Sequence, residues 1–291
     1  MTHKAGFVNI IGKANVGKST LMNALVGEKL SIITYKAQTT RHRILGIVSG
    51  DDFQIVYSDT PGILEPAYKL HESMMKFVEG SLEDADVFLY VAEVGERNPN
   101  QRIIDKIIAS GTPILMLINK IDKVTTEEVF VETQFWQTVF AGAEVIPVSA
   151  LQKKNLETVF NGIMKHLPES PAYFPKDELT DKTQRFIVSE IIREKIFLNY
   201  KKEVPYNTEV VVESFKEENK IIRINAIIFA ARESQKAILI GHKGSSLKKV
   251  GTEARIDIED FVGKKVFLEL NVKVEKDWRD NPDKLKRFGF E

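Results

Sequence analysis

The sequence contains no cysteine, which excludes disulfide bonds and thiolate chemistry from this chain. Long hydrophobic runs are also missing: a stretch such as Val87–Ala92 is far shorter than the roughly 20 residues that a membrane-spanning helix needs. The N-terminal residues show no signal-peptide pattern before the first apolar run. From these absences we expect a cytoplasmic protein without an integral membrane segment.

The chain also lacks a net charge, because 41 Lys and Arg residues balance 41 Asp and Glu residues over 291 positions. The balance changes along the chain, since residues 181–291 carry 23 basic against 19 acidic side chains. A basic half can indicate a polyanionic partner, but on charge alone so small an excess is better explained as a solvated surface. The length itself favours two domains over one.

The first 167 residues alternate short apolar runs with helical patterns, which favours an α/β fold with a mostly parallel sheet. The predicted strands are Phe7–Ile11, Gly46–Val48, Phe53–Ser58, Val87–Ala92, Ile114–Ile118 and Val145–Val148. The predicted helices are Lys18–Val26, Lys69–Leu82, Asn100–Ala109, Glu127–Phe140 and Leu156–His166. We expect helices on both faces of this sheet and a ligand beyond the carboxyl ends of its strands.

Three prolines within residues 167–175 indicate a linker. We therefore predict a first domain over residues 1–170, a linker over 171–181 and a smaller α+β domain over 182–291. The predicted elements of the second domain are, in order, a helix, two strands, a short helix, a loop, a longer helix and a strand. Their ranges are Thr183–Phe197, Thr208–Phe215, Ile221–Phe229, Ser234–Ile240, Ser245–Phe261 and Lys265–Val274.

The most informative stretch is Gly12–Ser19 (GKANVGKS), which matches the phosphate-binding pattern G-x-x-x-x-G-K-[ST] between a predicted strand and a predicted helix. Backbone N–H groups of such a loop and of the helix N-terminus converge on phosphate oxygens. Lys18 can reach the β and γ phosphates, and the Ser19 hydroxyl can ligate Mg²⁺. The predicted nucleotide-binding residues of this stretch are Gly12, Asn15, Val16, Gly17, Lys18, Ser19 and Thr20.

Two further segments are predicted to contribute residues around the phosphates and Mg²⁺ of the same site. Asp59 follows a predicted strand, where its carboxylate can hold Mg²⁺ through a water, and Gly62 can bring its N–H close to a γ-phosphate. Between these motifs, a loop that includes Thr39 and Thr40 can place a hydroxyl on Mg²⁺ when a γ-phosphate is present. We favour Thr40, so the predicted metal ligands are Ser19, Thr40 and Asp59.

Asn119-Lys120-Ile121-Asp122 follows another predicted strand and has the guanine-selecting N-K-x-D pattern. Asp122 can accept hydrogen bonds from the N1–H and 2-amino groups of guanine, whereas adenine would leave this carboxylate desolvated and unpaired. Asn119 can brace the loop, and the stem of Lys120 can cover the base. Ser149 and Ala150 follow the next strand, where the Ala150 N–H can meet guanine O6.

The ordered motifs from Gly12 to Ser149 resemble those of the translation-factor class of P-loop GTPases. The segments Gln38–Arg43, Asp59–Ile63, Ser189–Lys195 and Gly241–Gly244 extend the resemblance to the Era GTPases over nearly the whole chain. The resemblance implies a P-loop GTPase domain followed by a type II KH domain, with GTP or GDP and Mg²⁺ as ligands. It also implies binding to the 3′ end of small-subunit ribosomal RNA and assistance to 30S assembly.

The residue after the D-T-P-G motif is Ile63, whose side chain cannot orient a nucleophilic water. This resembles the hydrophobic-substituted GTPases, some of which hold K⁺ near the phosphates with an Asn of the phosphate loop. Asn15 stands at that position, and it can equally serve as a loop-bracing amide. We expect slow unaided hydrolysis, on the order of 10⁻³ s⁻¹ or below. The predicted catalytic residues are Lys18, Thr40, Gly62 and Asn15.

A second binding motif, Gly241–Gly244, lies between two helical patterns beside a small predicted sheet, which is the context of a KH module. Its glycines allow close approach of a nucleic-acid backbone, and the helix N-terminus after Gly244 offers partial positive charge to phosphates. The predicted RNA-binding residues are Gly241, His242, Lys243, Gly244, Lys248 and Lys249. The tail around Trp278 can stack on a base, but we expect it to pack on the domain.

Three functions remain open from the sequence. The leading hypothesis is a monomeric switch whose GTP-ordered loops change RNA affinity, with small-subunit rRNA and no DNA as its partner. The second is an RNA-binding scaffold in which GTP is mainly structural, and equal RNA affinity with GTP and GDP analogues would favour it. The third is a GTPase with a protein or membrane partner. The sequence shows no lipidation motif or basic amphipathic helix for anchoring, although peripheral membrane contact stays open.

Overall fold

The computed structural model describes residues 2–290, which pack into two units. The first unit comprises the chain up to Ser31, residues Thr40–Glu65 and residues Met74–Asp181. The second comprises residues Ile32–Thr39, residues Pro66–Ser73 and the chain from Lys182 onward. Two short segments from the N-terminal half therefore pack with the C-terminal half. Among the helices of residues 2–290, none has the length and apolar character needed to cross a membrane.

The first unit is built on one six-stranded sheet. Its strands are β1 (Lys4–Ile11), β2 (Ile44–Ser49), β3 (Phe53–Asp59), β4 (Val87–Glu93), β5 (Ile114–Asn119) and β6 (Glu144–Pro147). They lie in the order β2–β3–β1–β4–β5–β6, and every neighbouring pair is parallel except β2 with β3. The predicted α/β fold with a mostly parallel sheet is confirmed.

Four helices connect these strands, and a fifth follows β6. They are α1 (Lys18–Val26), α2 (Lys69–Ser81), α3 (Gln101–Ala109), α4 (Thr126–Val139) and α5 (Leu156–His166). Local sequence fixes two of their starts: Asn100 accepts a hydrogen bond from the Ile103 N–H, and Thr125 forms a capping box with Glu128. Apolar side chains of α3 and α4, among them Ile104 and Trp136, pack in one core cluster with β1, β4 and β5.

The proline-rich segment predicted as a linker is held by side-chain and backbone hydrogen bonds within the first unit. The Gln54 side-chain oxygen accepts from the N–H groups of Tyr173 (2.7 Å) and Phe174 (2.9 Å), and its amide donates to the Phe174 carbonyl (2.8 Å). Farther along, the Ile47 N–H donates to the Leu179 carbonyl at 2.9 Å. The Gln54 side chain and the free edge of β2 supply these bonds, so the segment is ordered against the first unit.

The second unit has the predicted element order. Its elements are α6 (Gln184–Asn199), β7 (Thr208–Glu217), β8 (Ile221–Ala230), α7 (Glu233–Ile240), α8 (Ser245–Val262), β9 (Lys265–Val274) and α9 (Pro282–Arg287). The sheet order is β7–β8–β9, antiparallel in the first pair and parallel in the second. The parallel pair requires a crossover, which α7 and α8 provide. This arrangement confirms the predicted α+β fold of this part of the chain.

The C-terminal tail packs on the second unit, as expected. The Trp278 indole is buried and donates to the Asn207 carbonyl at 3.2 Å. The Phe288 ring lies 5.1 Å from the Phe229 ring and 5.5 Å from the Trp278 ring, measured between centroids. These contacts place the aromatic side chains of the tail in the protein core and leave them unavailable for stacking on a base in this conformation.

Candidate nucleotide and RNA sites

The phosphate-binding motif forms the turn between β1 and α1. Gly17 stands at the N-cap of α1 in the left-handed conformation (φ 102°), and among residues 2–290 no side-chain hydrogen bond caps the helix there. The N–H groups at this end of α1 are therefore open to an external acceptor, which is the usual arrangement for binding an anion. The Asn119 side-chain amide donates to the Val16 carbonyl at 2.8 Å and so fixes the turn against the end of β5.

Lys18 is buried at the centre of this turn, where its ammonium donates to the Lys13 carbonyl at 2.7 Å. Burial lowers the pKa of Lys18 to about 8, and the nearby carboxylates of Asp59 and Glu96 only partly oppose this shift. An anion placed against the turn would favour the charged ammonium and raise the pKa again. A phosphate group bound at this turn would therefore supply the negative charge that the buried Lys18 ammonium needs.

The three predicted metal ligands lie together. The Ser19 hydroxyl is 2.7 Å from Asp59 Oδ2 and 2.8 Å from the Thr40 hydroxyl, and Thr40 Oγ1 lies 3.5 Å from Asp59 Oδ2. Asp59 is fully buried, and its Oδ1 has no hydrogen-bond partner among the described residues. Burial raises the pKa of Asp59, against the opposing effect of Lys18. A buried carboxylate oxygen with two adjacent hydroxyls fits the oxygen-rich ligand set that Mg²⁺ prefers.

Thr39 faces away from this cluster. Its hydroxyl is 2.6 Å from the Thr34 hydroxyl and donates to the Lys36 carbonyl at 2.8 Å. Of the two neighbouring threonines, the structure therefore brings Thr40, and not Thr39, to Ser19 and Asp59.

The D-T-P-G segment packs directly on the phosphate-binding turn. A Cβ added to Gly62 would lie 2.5 Å from the Ala14 Cα, so only glycine permits this approach without a backbone shift. The Ile63 N–H donates to the Gly12 carbonyl at 3.1 Å. The Ile63 side chain is buried in the apolar cluster with Val78 and Phe88. Residue 63 therefore fills the core, which gives its apolar character a structural reason.

The N-K-x-D segment lines a cavity of about 150 Å³ at the end of β5. The residues around it are Gly17, Thr20, Asn119, Lys120, Asp122, Lys123, Ala150 and Leu151. Asp122 is exposed at this cavity, and one of its oxygens accepts a hydrogen bond from the Ser149 hydroxyl at 2.6 Å. Lys123 and Leu151 were not predicted as site residues. Each directly follows a predicted site residue, and this adjacency is the signal in the sequence that could have indicated them.

Two residues of this cavity already have partners in the protein. The Ala150 N–H donates to Asn119 Oδ1 at 3.0 Å, so a guanine oxygen would share or replace that hydrogen bond. The Lys120 ammonium donates to the Asn15 carbonyl at 2.6 Å and pairs with Glu93. Asn119 thus braces the segment, while Lys120 ties the N-K-x-D segment to the turn between β1 and α1.

In the second unit, the G-x-x-G motif joins α7 to α8. Gly241 (φ 71°) and Gly244 (φ 78°) both have a positive φ, and a Cβ on Gly241 would lie 2.2 Å from the Ser246 hydroxyl oxygen. His242 and Lys243 are exposed on this turn. Exposed basic side chains on a tight turn before a helix N-terminus are suited to contact a phosphate backbone.

A groove of about 360 Å³ starts at this turn and runs along α8. We call it the α8 groove; it is lined by Gly244, Leu247, Lys248, Gly251, Thr252, Arg255, Leu268 and Leu270. Arg255 was not predicted, although its spacing from Lys248 and Gly251 puts it on the same face of the helix. Lys249 was predicted but does not line the groove, since it turns toward Glu253 (3.8 Å).

Comparison with known proteins gives consistent matches. Residues 7–120 match the family model described as 50S ribosome-binding GTPase, and residues 203–279 match the KH domain model. GTPase Era of Syntrophus aciditrophicus is 45% identical over 99% of this chain and 95% of its own length. GTPase Era of Clostridium kluyveri is 44% identical over 99% of both chains.

Two crystal structures match over the full chain. Era in complex with MgGDPNP and nucleotides 1506–1542 of 16S ribosomal RNA has a TM-score of 0.95 and 39% identity, covering 99% of both chains. A variant of Aquifex aeolicus Era bound to GDP and aluminium fluoride has the same score, identity and coverage.

Proposed function

Because this chain belongs to the Era family of GTPases, we propose that it is a GTP-controlled switch that binds single-stranded ribosomal RNA. The RNA would lie near the 3′ end of the small-subunit rRNA, and binding would assist 30S assembly in the cytoplasm. The observation that carries this proposal is a structure of a related Era, with a TM-score of 0.95 over 99% of this chain, bound to both MgGDPNP and 16S RNA.

The site residues fit two separate binding functions, one in each half of the chain. We assign guanine nucleotide to a domain over residues 1–170 and RNA to a domain over residues 182–291, with 171–181 connecting them. Asp122 would select the base, Lys18 would carry positive charge to the phosphates, and the N–H groups at the start of α1 would bind phosphate oxygens. The α8 groove would receive about four nucleotides, as KH clefts do.

Ser19, Thr40 and Asp59 would hold Mg²⁺, which when bound neutralises charge that develops on the phosphate oxygens. The protein's own groups contribute to hydrolysis by their placement around the phosphates. Lys18 places its charge at the phosphates, and Gly62 is close enough to the phosphate-binding turn for its N–H to reach a γ-phosphate. Ile63 supplies no polar atom to orient water, so hydrolysis without a partner or a second cation should be slow.

We expect Asn15→Ala to remove the stimulation of GTP hydrolysis by K⁺. Asn15 is exposed at the phosphate-binding turn in the left-handed conformation (φ 66°), where a side-chain oxygen can serve a monovalent cation. A cation there would neutralise charge as an arginine finger does. Steady-state turnover in matched K⁺ and Na⁺ buffers measures the effect.

Asn15→Gly is the matched control for this prediction, since it removes the same amide while relieving any left-handed strain of alanine. Both variants should lose K⁺ stimulation to the same extent. Retained K⁺ stimulation in Asn15→Gly would assign Asn15 a bracing role and reject the cation hypothesis.

Titration of the full chain tests the proposed function. We expect GTP to bind with at least about 10³-fold preference over ATP, since a site built to hydrogen-bond one base rejects another by such factors. A single-stranded oligoribonucleotide with the sequence of the 16S 3′ end should bind to the same preparation. Equal binding of ATP and GTP, or no RNA binding, would contradict the proposal.

A further inference from the structure

The segment that leads to Thr40 packs with the second unit. Residues Ile32–Thr39 follow α1 in sequence but belong to the unit that contains α6. Thr40 belongs to the first unit, where its hydroxyl lies beside Ser19 and Asp59. A single peptide bond therefore joins Thr40 to a segment whose position is set by contacts within the second unit.

Three side chains attach this segment to α6. The Glu194 carboxylate accepts from the Ile33 N–H at 3.0 Å. The Lys36 ammonium donates to the carbonyls of Phe197 and Tyr200 at the end of α6, where the helix dipole favours a cation.

The third attachment is the one next to Thr40. The Arg193 guanidinium donates from Nη2 to the Thr39 carbonyl at 2.6 Å. It thereby fixes the peptide plane between Thr39 and Thr40, which limits where the Thr40 hydroxyl can lie.

Arg193 is itself held in place by a buried ion pair. Its Nε donates to Glu190 Oε1 at 2.7 Å and its Nη2 contacts Glu190 Oε2, while both side chains are almost completely buried. Arg193 Nη1 has no hydrogen-bond partner among the described residues. A buried ion pair contributes little net stability, and an unsatisfied nitrogen reduces it further. The pair therefore adds little to the free energy of unfolding. It does hold the Arg193 guanidinium in the orientation that reaches the Thr39 carbonyl.

We propose that Arg193 is a positioning residue for the metal site, which acts on Thr40 through the Thr39 carbonyl. This inference rests on the proposed role of Thr40 as a Mg²⁺ ligand in the GTP state. Arg193 lies on α6, so the carbonyl that precedes Thr40 is held by the same helix that holds Ile33 and Lys36.

The test measures the Mg²⁺ concentration needed to retain a fluorescent GTP analogue and, separately, fluorescent GDP. In the double variant Glu190→Leu with Arg193→Met, both charges are removed at similar volume, so no unpaired charge of the pair is left buried. We expect the Mg²⁺ midpoint to rise about tenfold with the GTP analogue, the effect of losing one strong hydrogen bond, and to stay unchanged with GDP. Arg193→Lys, which keeps the charge but not the planar fork, should show a smaller selective rise.

The pair Arg97→Met with Glu132→Leu is the matched control. It removes another bidentate Arg–Glu pair, in the first unit, that has no role in the segment before Thr40. We expect its midpoints with both nucleotides to match the wild type. An equal shift for GTP analogue and GDP in the Arg193 variants, or no shift, would overturn the inference.

Thr40→Ala separates this inference from the proposed function. If Thr40→Ala raises the Mg²⁺ midpoint only with the GTP analogue while the Arg193 variants do not, the positioning role of Arg193 is wrong and the metal site stands. If Thr40→Ala has no effect, the assignment of Thr40 is wrong and the inference falls with it.

Discussion

Replacing Asp122 by alanine should weaken GTP binding by about 10²–10⁴-fold and nearly abolish the preference for GTP over ATP. The carboxylate is exposed at the cavity that we assign to the base, and one of its oxygens already accepts a hydrogen bond from the Ser149 hydroxyl at 2.6 Å. Guanine would add two hydrogen bonds from its N1–H and 2-amino groups. Each hydrogen bond to a charged group contributes roughly 1.5–3 kcal/mol, and the sum gives the expected change in affinity.

Calorimetric titration of both nucleotides measures this effect. Lys123→Ala is the control, because Lys123 lines the same cavity next to Asp122 but has no proposed hydrogen bond to the base. Its GTP affinity should stay within about threefold of the wild type, since most surface substitutions change free energies by less than about 0.5 kcal/mol. An Asp122→Ala protein that still binds GTP with near wild-type affinity would show that another residue selects the base.

The double substitution Gly241→Asp with Gly244→Asp should lower RNA affinity by roughly 10²-fold or more while leaving GTP affinity unchanged. Both glycines have a positive φ, and a side chain at position 241 would collide with Ser246, so the turn that we propose as an RNA contact would change shape. Two carboxylates would also face the phosphates. The slope of log affinity against log salt should fall by about 0.7 for each phosphate that the variant no longer binds.

Gly263→Asp controls for backbone strain and added charge. Gly263 also has a positive φ (66°) and ends the same helix, but it does not line the α8 groove. It should keep RNA affinity and salt dependence close to those of the wild type in filter-binding or fluorescence assays. Full RNA binding by the double variant would remove the α8 groove from the proposed interface.

The strands were predicted most accurately where the sequence is continuously apolar. The run Val87–Ala92 was predicted as a strand and is β4, Val87–Glu93. The edge strand was predicted too short, as Gly46–Val48, whereas β2 spans Ile44–Ser49. Its ends are fixed by pairing with β3, from Ile44 opposite Asp59 to Ser49 opposite Gln54. Pairing between distant segments leaves no local pattern, so periodicity underestimates such a strand.

The candidate sites were predictable where a motif specifies backbone geometry and side-chain chemistry together. Lys18 and Asp122 are recognisable because the motif residues at fixed spacing around them are compatible with few other functions. Arg193 and Glu190 were not predicted as part of any site. At a spacing of three residues on a helix they look like a solvated ion pair, and only the fold shows that they are buried against the Thr39 carbonyl.

The affinity of the full chain for one RNA, measured with a non-hydrolysable GTP analogue and with GDP, shows whether the nucleotide controls RNA binding. We expect RNA to bind about 5–150-fold more tightly with the GTP analogue, the state in which a related Era holds 16S RNA. By linkage, RNA must raise the affinity for the analogue relative to GDP by the same factor. Equal RNA affinities in the two nucleotide states would contradict the switch and leave an RNA-binding scaffold with a structural nucleotide.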